Sequence, residues 1–287
     1  MHATPQSSTR RRPPGTRPGS PTGSPAPATG DESLTLPEPV AELLRLPDFP
    51  RAARYDPAWV LANHMGPNVL WLAESLSQVL DLVPGSRVLD LGCGRALSSI
   101  FLAREFDVQV WAVDLWTDPS SNWQRVVEAG EERRVQPLQL DARRLPFPTG
   151  FFDAVVSLDA YHYFGTDDLY LSQLTRVLAP GGELGIVSPG LVDELTEVPA
   201  HLEPFWDRQF WSFHSPAWWR AHWERTGLVD VRHADLVPDG WRHWQLWDQV
   251  SREMSPPAEP NGPEEWRMLE IDEGRTLGFS RVTARSR

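Results

Sequence analysis

The stretch Val88-Leu89-Asp90-Leu91-Gly92-Cys93-Gly94-Arg95-Ala96 decides the fold of this chain. Its apolar start reaches Asp90 and breaks at Gly92-Cys93-Gly94, and a helical pattern follows over residues 96–104. A strand that ends in a glycine turn opening a helix marks a nucleotide-type ligand site. Glycine lets a ligand approach the backbone, and the helix start presents free N–H groups. A GxG turn alone is weak evidence. The acids that follow make it strong.

Residues 108–113 read as a second strand ending at Asp114, twenty residues beyond Gly94. An acid at that tip can accept from both ribose hydroxyls of a ligand; the alternative is a helix cap. Residues 135–140 read as a third strand, ending at Asp141-Ala142, where a carboxylate can accept from an adenine amino group. A fourth run, 152–158, ends at Asp159, and Gly181-Gly182 turns into a fifth strand over 184–188. Residues 228–237 and 277–284 read as the last two strands. Helical patterns cover 39–46, 57–64, 68–83, 122–129, 167–178, 215–225 and 239–254. Strands separated by helices predict a parallel sheet covered on both faces, with ligands at the carboxyl ends of the strands.

Two ligands compete for such a turn. A dinucleotide fingerprint is GxGxxG with its pyrophosphate on the helix N-terminus. Here the third glycine position is Leu97, and Asp90 at the mouth of the turn repels a pyrophosphate. S-adenosylmethionine (SAM) carries an ammonium and a sulfonium and no phosphate, so the residues favour SAM over NAD.

Over residues 66–189 the chain resembles the class I SAM-dependent methyltransferases. The segments DAYHYFGTDDLYL (159–171) and WSFHSPAWWRAHWERTGLVDV (211–231) resemble a bacterial branch acting on small molecules. The resemblance implies an α/β fold with a doubly wound, mostly parallel seven-stranded sheet (a Rossmann-like methyltransferase fold). The last strand is then antiparallel, and a helical, aromatic-rich cover spans 190–226. It implies that Asp90, Gly92, Cys93 and Gly94 line the methionine end of SAM and that Asp114 holds the ribose. Leu115 and Trp116 then border the adenine with Asp141 and Ala142, and Ser157 completes the cofactor set. The expected activity is methyl transfer to a small-molecule acceptor, at O, N or C. The alternative is a SAM-binding sensor or partner protein without transferase activity.

Composition narrows the field. The chain has 287 residues and a formal net charge of −12. Its first thirty residues hold four arginines and no acid, which leaves 23 arginines against 39 acids in the remainder. An acidic body argues against nucleic-acid binding, whose affinity depends on phosphate neutralisation. All 27 basic residues are arginine, so no lysine can form a Schiff base. Cys93 is the single cysteine, which suits a reducing cytoplasm. No apolar run approaches the roughly 18 residues of a membrane span. Residues 1–34, rich in Pro, Ser, Thr, Gly and Arg, are expected to be disordered, with the catalytic domain over 35–287 as a monomer or homodimer.

Methyl transfer needs chiefly a nucleophile held in line in a site that excludes water. His162, between Tyr161 and Tyr163, is the candidate general base, because an ordinary histidine titrates near neutrality; the alternative is an orienting or core residue. Asp159 and Tyr161 complete the catalytic candidates. Tyr163, Trp211, His214 and His64 are candidate acceptor contacts, and packing roles are the alternative for each. Aromatic faces near these residues also suit a cation. The histidines have no ligand spacing, so no metal site is expected.

Overall fold

Helices separate the strands as far as the fifth, except between the third and fourth, and the chain then turns back on itself. The computed structural model describes residues 35–254 and 264–287; the expected tail, 1–34, lies outside them. Three helices come first: α1 (Glu38–Leu43), α2 (Pro57–Asn63) and α3 (Val69–Ser77). Then follow β1 (Arg87–Leu91), α4 (Leu97–Phe106), β2 (Gln109–Asp114), α5 (Pro119–Glu128), β3 (Val135–Gln139), β4 (Phe152–Leu158), α6 (Tyr170–Val177) and β5 (Leu178–Leu191). The chain closes with α7 (Pro216–Glu224), β6 (Val229–Leu236), α8 (Gly240–Met254), α9 (Glu265–Asp272) and β7 (Leu277–Ser286).

The strands form one seven-stranded sheet in the order β3-β2-β1-β4-β5-β7-β6. Strands β1 to β5 pair in parallel, and β7 runs antiparallel between β5 and β6. The strand order reverses between β1 and β4, so their carboxyl ends diverge and leave a crevice there.

Alternation along each strand builds the core. Val88 packs on one face of the sheet with Leu76, Phe101 and Val110. Leu89 and Leu91 pack on the other with Val155, Tyr161, Trp219 and Trp223. Both faces are covered, so the central strands read as continuous apolar runs. Helix starts carry their own caps: the Asp118 carboxylate accepts from Ser121 N–H, and the Ser215 hydroxyl accepts from Trp218 N–H, each just before a proline at the first helical position.

Three local readings differ from the structure. Helix α3 stops at Ser77, short of the expected residue 83. The Gly181-Gly182 turn is absorbed into β5 as an irregularity in its pairing with β4. Helix α9 was not anticipated. Its backbone is anchored by a tertiary bond, Trp266 N–H to the Asp248 carboxylate at 2.9 Å, and it buries Met268 and Leu269. Among the described residues no helix is long and apolar enough to cross a membrane.

Candidate functional site

At the carboxyl ends of β1, β2 and β4 lies a cleft of about 1080 Å³, its open mouth included. Its walls are the 63–67 loop, the glycine turn, the β2 tip with Leu115 and Trp116, the 140–143 loop and residues 158–160, 163 and 164.

The glycine turn is closed by the protein itself. Gly92 and Cys93 N–H donate to the Val113 carbonyl at 2.8 and 3.0 Å, and Ala96 N–H to the Cys93 carbonyl at 2.9 Å. Gly94 N–H donates to Asp114 Oδ2 at 3.0 Å. Gly92 has φ +81°, and a Cβ there would stand 2.3 Å from the Ala160 Cβ. A pyrophosphate needs free amides at such a turn, and these four are already engaged. The turn therefore fits a donor without phosphates, as SAM is.

Asp114 organises the neighbouring loop as well. Its Oδ1 accepts from Trp116 and Thr117 N–H, both at 2.8 Å. Beyond it, Leu115 and Trp116 line the cleft with large exposed surfaces. Across from them Asp141 and Ala142 form the opposite wall. The Asp141 carboxylate accepts from Arg143 N–H at 2.9 Å, and the Ala142 carbonyl from the Tyr170 hydroxyl at 3.1 Å.

Two residues assigned to the cofactor do not reach the cleft. Asp90 is fully buried; its Oδ2 accepts from both Ser98 and Ser99 hydroxyls at 2.6 Å, and its Oδ1 has no partner. It lies on the α4 side of β1, beneath the turn. Burial pushes its carboxyl up to about 6, against the pull of the two serines. Ser157 is also fully buried and donates to the Leu91 carbonyl at 2.7 Å, tying β4 to the end of β1.

The catalytic candidates separate in the same way. Residues 161–163 form a single 3-10 turn, so successive side chains diverge. Tyr161 points into the core among Phe164, Tyr170, Trp219 and Trp223. His162 is also buried, with its ring 4.0 Å from that of Tyr163 and 5.4 Å from that of Phe213. Desolvation lowers its imidazole to about 3, and its Nδ1 is without a partner. Neither lines the cleft, so the structure withdraws both from the catalytic set. Tyr163 and Asp159 do line it.

Of the acceptor candidates, His64 lines the cleft with its Nδ1 turned to the Leu61 carbonyl, and burial lowers its imidazole. His214 does not. Its Nδ1 meets Glu194 at 2.9 Å and its ring stacks 3.6 Å from Trp218, which makes it a joint at the start of α7. Trp211 is half exposed and packs beside Trp206, away from the wall. None of residues 190–226 lines the cleft, so the expected cover is not its wall. Phe210, Phe213, Trp219 and Trp223 of that segment are core.

Sequence reasoning missed Arg95, Arg143 and Glu265. Arg95 and Arg143 line the cleft. Glu265 faces an adjoining chamber behind the 64–67 loop, with Trp244, Trp247 and Asp248.

Comparison with known proteins agrees with this geometry. Residues 88–182 match the family described as "Methyltransferase domain". The chain is 28% identical over 165 residues to a glycine/sarcosine/dimethylglycine N-methyltransferase of Actinopolyspora halophila, covering 57% of this chain and 29% of that protein. It is 37% identical over 101 residues to a fatty-acid O-methyltransferase of Mycolicibacterium smegmatis, covering 35% and 36%. The chain thus spans about a third of the length of these relatives. A solved structure of Haemonchus contortus phosphoethanolamine N-methyltransferase 2 in complex with SAM superposes with a TM-score of 0.62, at 18% identity, over 86% of this chain and 60% of that one. The fold is the one this solved methyltransferase shares, and the family match is carried by residues 88–182.

Proposed function

We propose that this protein transfers the methyl group of SAM to a small-molecule acceptor. The observation that carries the reading is the self-closed glycine turn, pinned by Asp114 at the edge of a deep cleft. Gly92, Cys93 and Gly94 would border the methionine end, Asp114 the ribose, and Leu115, Trp116, Asp141 and Ala142 the adenine. SAM bound there supplies an electrophilic methyl on a positively charged sulfur. The chain's own residues do the rest by holding the acceptor in line and excluding water, which accounts for much of the rate in such transfers. Tyr163, His64 and Asp159 face the space left for the acceptor. With its single cysteine and an acidic body, the protein is read as a cytoplasmic enzyme acting on a small molecule and not on nucleic acid.

Calorimetry with SAM and with S-adenosylhomocysteine (SAH) tests the reading. Both should bind, and Asp114→Ala should weaken both. Tight NADH binding without SAH binding would overturn it.

A further inference from the structure

The acceptor side of the cleft holds a carboxylate, Asp159, that no cation contacts among the described residues, and a second carboxylate, Glu265, lies in the adjoining chamber. Asp159, at the tip of β4 with φ +56°, sits deep in the wall with its side chain open to the cleft. Among the described residues nothing donates to that carboxylate. Glu265, the first residue of α9, accepts from the Trp244 indole N–H at 2.8 Å and faces the adjoining chamber. Burial pushes both groups up, Asp159 to about 8 with the charge of Glu265 adding to it, and Glu265 to about 7 with the charge of Asp248 adding to it.

The charges around them do not cancel this. Asp248 and Asp207 add further negative potential at Glu265, and Asp207 with Asp159 and Glu265 acts on Tyr163. Arg252 is the cation that acts on Glu265, and its guanidinium grips Asp248 with contacts of 3.0 and 2.9 Å. Arg95 is turned to the Ala62 carbonyl, and Arg143 to the Tyr163 carbonyl.

The 63–67 loop passes close against the Asp159 carboxylate at the edge of the cleft. A Cβ on Gly66 would stand 2.4 Å from Asp159 Oδ2, so only a glycine lets the loop pass there. The Gly66 carbonyl is fixed by the Trp247 indole N–H at 2.8 Å. Trp244 and Trp247 line the chamber behind the loop, and Tyr163 lines the cleft in front of it. Buried carboxylates beside aromatic faces are a receptor for an ammonium ion, which both attract.

We infer that the methyl acceptor is an amine, received as its ammonium ion at Asp159 with Glu265 behind it, and that Asp159 is the base that frees its lone pair. This rests on the transferase reading above. The Asp159 carboxylate takes one proton from the ammonium and leaves a neutral amine. The nitrogen lone pair then forms the C–N bond as the methyl–sulfur bond breaks, with the bonding pair staying on sulfur. The products are a methylated ammonium and a neutral thioether, and Asp159 returns its proton to water. A carboxylate acceptor would find no cation beside Asp159 among the described residues to pair with it.

The test uses three probes of matched shape: phenethylamine, 4-ethylphenol and 3-phenylpropionate. Each is titrated into the SAH complex by calorimetry, and each is incubated with SAM with products read by mass spectrometry. Phenethylamine alone should bind and gain a methyl on nitrogen. Asp159→Asn should weaken its binding by about tenfold or more and Glu265→Gln by several-fold, because each removes a desolvated charge partner. SAH affinity should stay within about twofold in both, since neither residue lies on the walls that border the nucleoside. Binding or methylation of the phenol or the acid in place of the amine would overturn the inference, as would unchanged amine binding in Asp159→Asn. Failure of the wild type to bind SAH would overturn the parent reading as well, and is seen separately.

Discussion

Gly94 N–H donates to Asp114 Oδ2 at 3.0 Å, so the tip of β2 holds the glycine turn that follows β1. The same carboxylate takes Trp116 and Thr117 N–H on its other oxygen. One side chain thereby fixes both loops bordering the nucleoside end of the cleft. Asp114→Ala leaves three amides without their acceptor, each worth about 1 kcal/mol or more near a charge. SAH affinity measured by calorimetry should fall at least about tenfold, with a lowered melting temperature. Wild-type affinity in this variant would remove Asp114 from the cofactor site.

Two glycines with almost the same backbone angle separate strain from close approach. Gly85 has φ +80° and open space around a hypothetical Cβ, whereas Gly92 has φ +81° and Ala160 at 2.3 Å. Gly85→Ala should cost about 1–2 kcal/mol, the penalty of the left-handed region alone. Gly92→Ala adds the collision and should cost more, with loss of SAH binding as the turn shifts. Thermal unfolding of the two variants measures the difference. Equal melting temperatures would mean that Ala160 yields freely.

His162 offers a test of packing against catalysis. Its ring is buried beside Tyr163 and Phe213 and does not line the cleft. Truncation to alanine leaves a cavity and should destabilise the fold by about 2–4 kcal/mol. Below its melting transition His162→Ala should retain turnover within a few-fold, because no proton passes through it. A loss of a hundredfold or more with SAH affinity intact would restore the histidine as base.

The strand tips were legible because buried parallel strands are written as unbroken apolar runs, and each run stops where the chain meets solvent. Asp114, Asp141 and Asp159 all stand at such stops and all line the cleft. The direction of a side chain was harder to read. Asp90 lies two residues from Val88 and so shares its face of β1, the face that α4 covers with Ser98 and Ser99. The two-residue alternation of a strand points Asp90 to that face, although its position next to the turn suggests the ligand. Histidine 162 was misread for a related reason: a 3-10 turn sends three neighbours in three directions, and only Tyr163 faces out. Glu265 was beyond reach. Its helix is held by the Asp248–Trp266 contact with α8, and local spacing does not encode such a tertiary bond.

Asp272 gives the fold a pH-dependent clamp. It is buried at the end of α9, where Thr276 and Leu277 N–H donate to Oδ2 at 2.9 Å and His201 Nε2 meets Oδ1 at 2.9 Å. Burial pushes the carboxyl up, but His201 and the backbone amides prevail and hold it below the ordinary carboxylate range. A depressed folded-state value means that the stabilisation is present above the unfolded pKa of about 3.9 and is lost as pH falls through the folded value. Asp272→Asn keeps the shape and removes the charge, so it should cost about 1–3 kcal/mol at pH 7. The gap between the two proteins should narrow below about pH 4, because the wild-type carboxyl is then protonated too. Denaturant unfolding of both from pH 7 to 3 measures it. A gap that stays constant with pH would show that the loss comes from shape and not from the charge, and a gap that widens in acid would reverse the assigned direction.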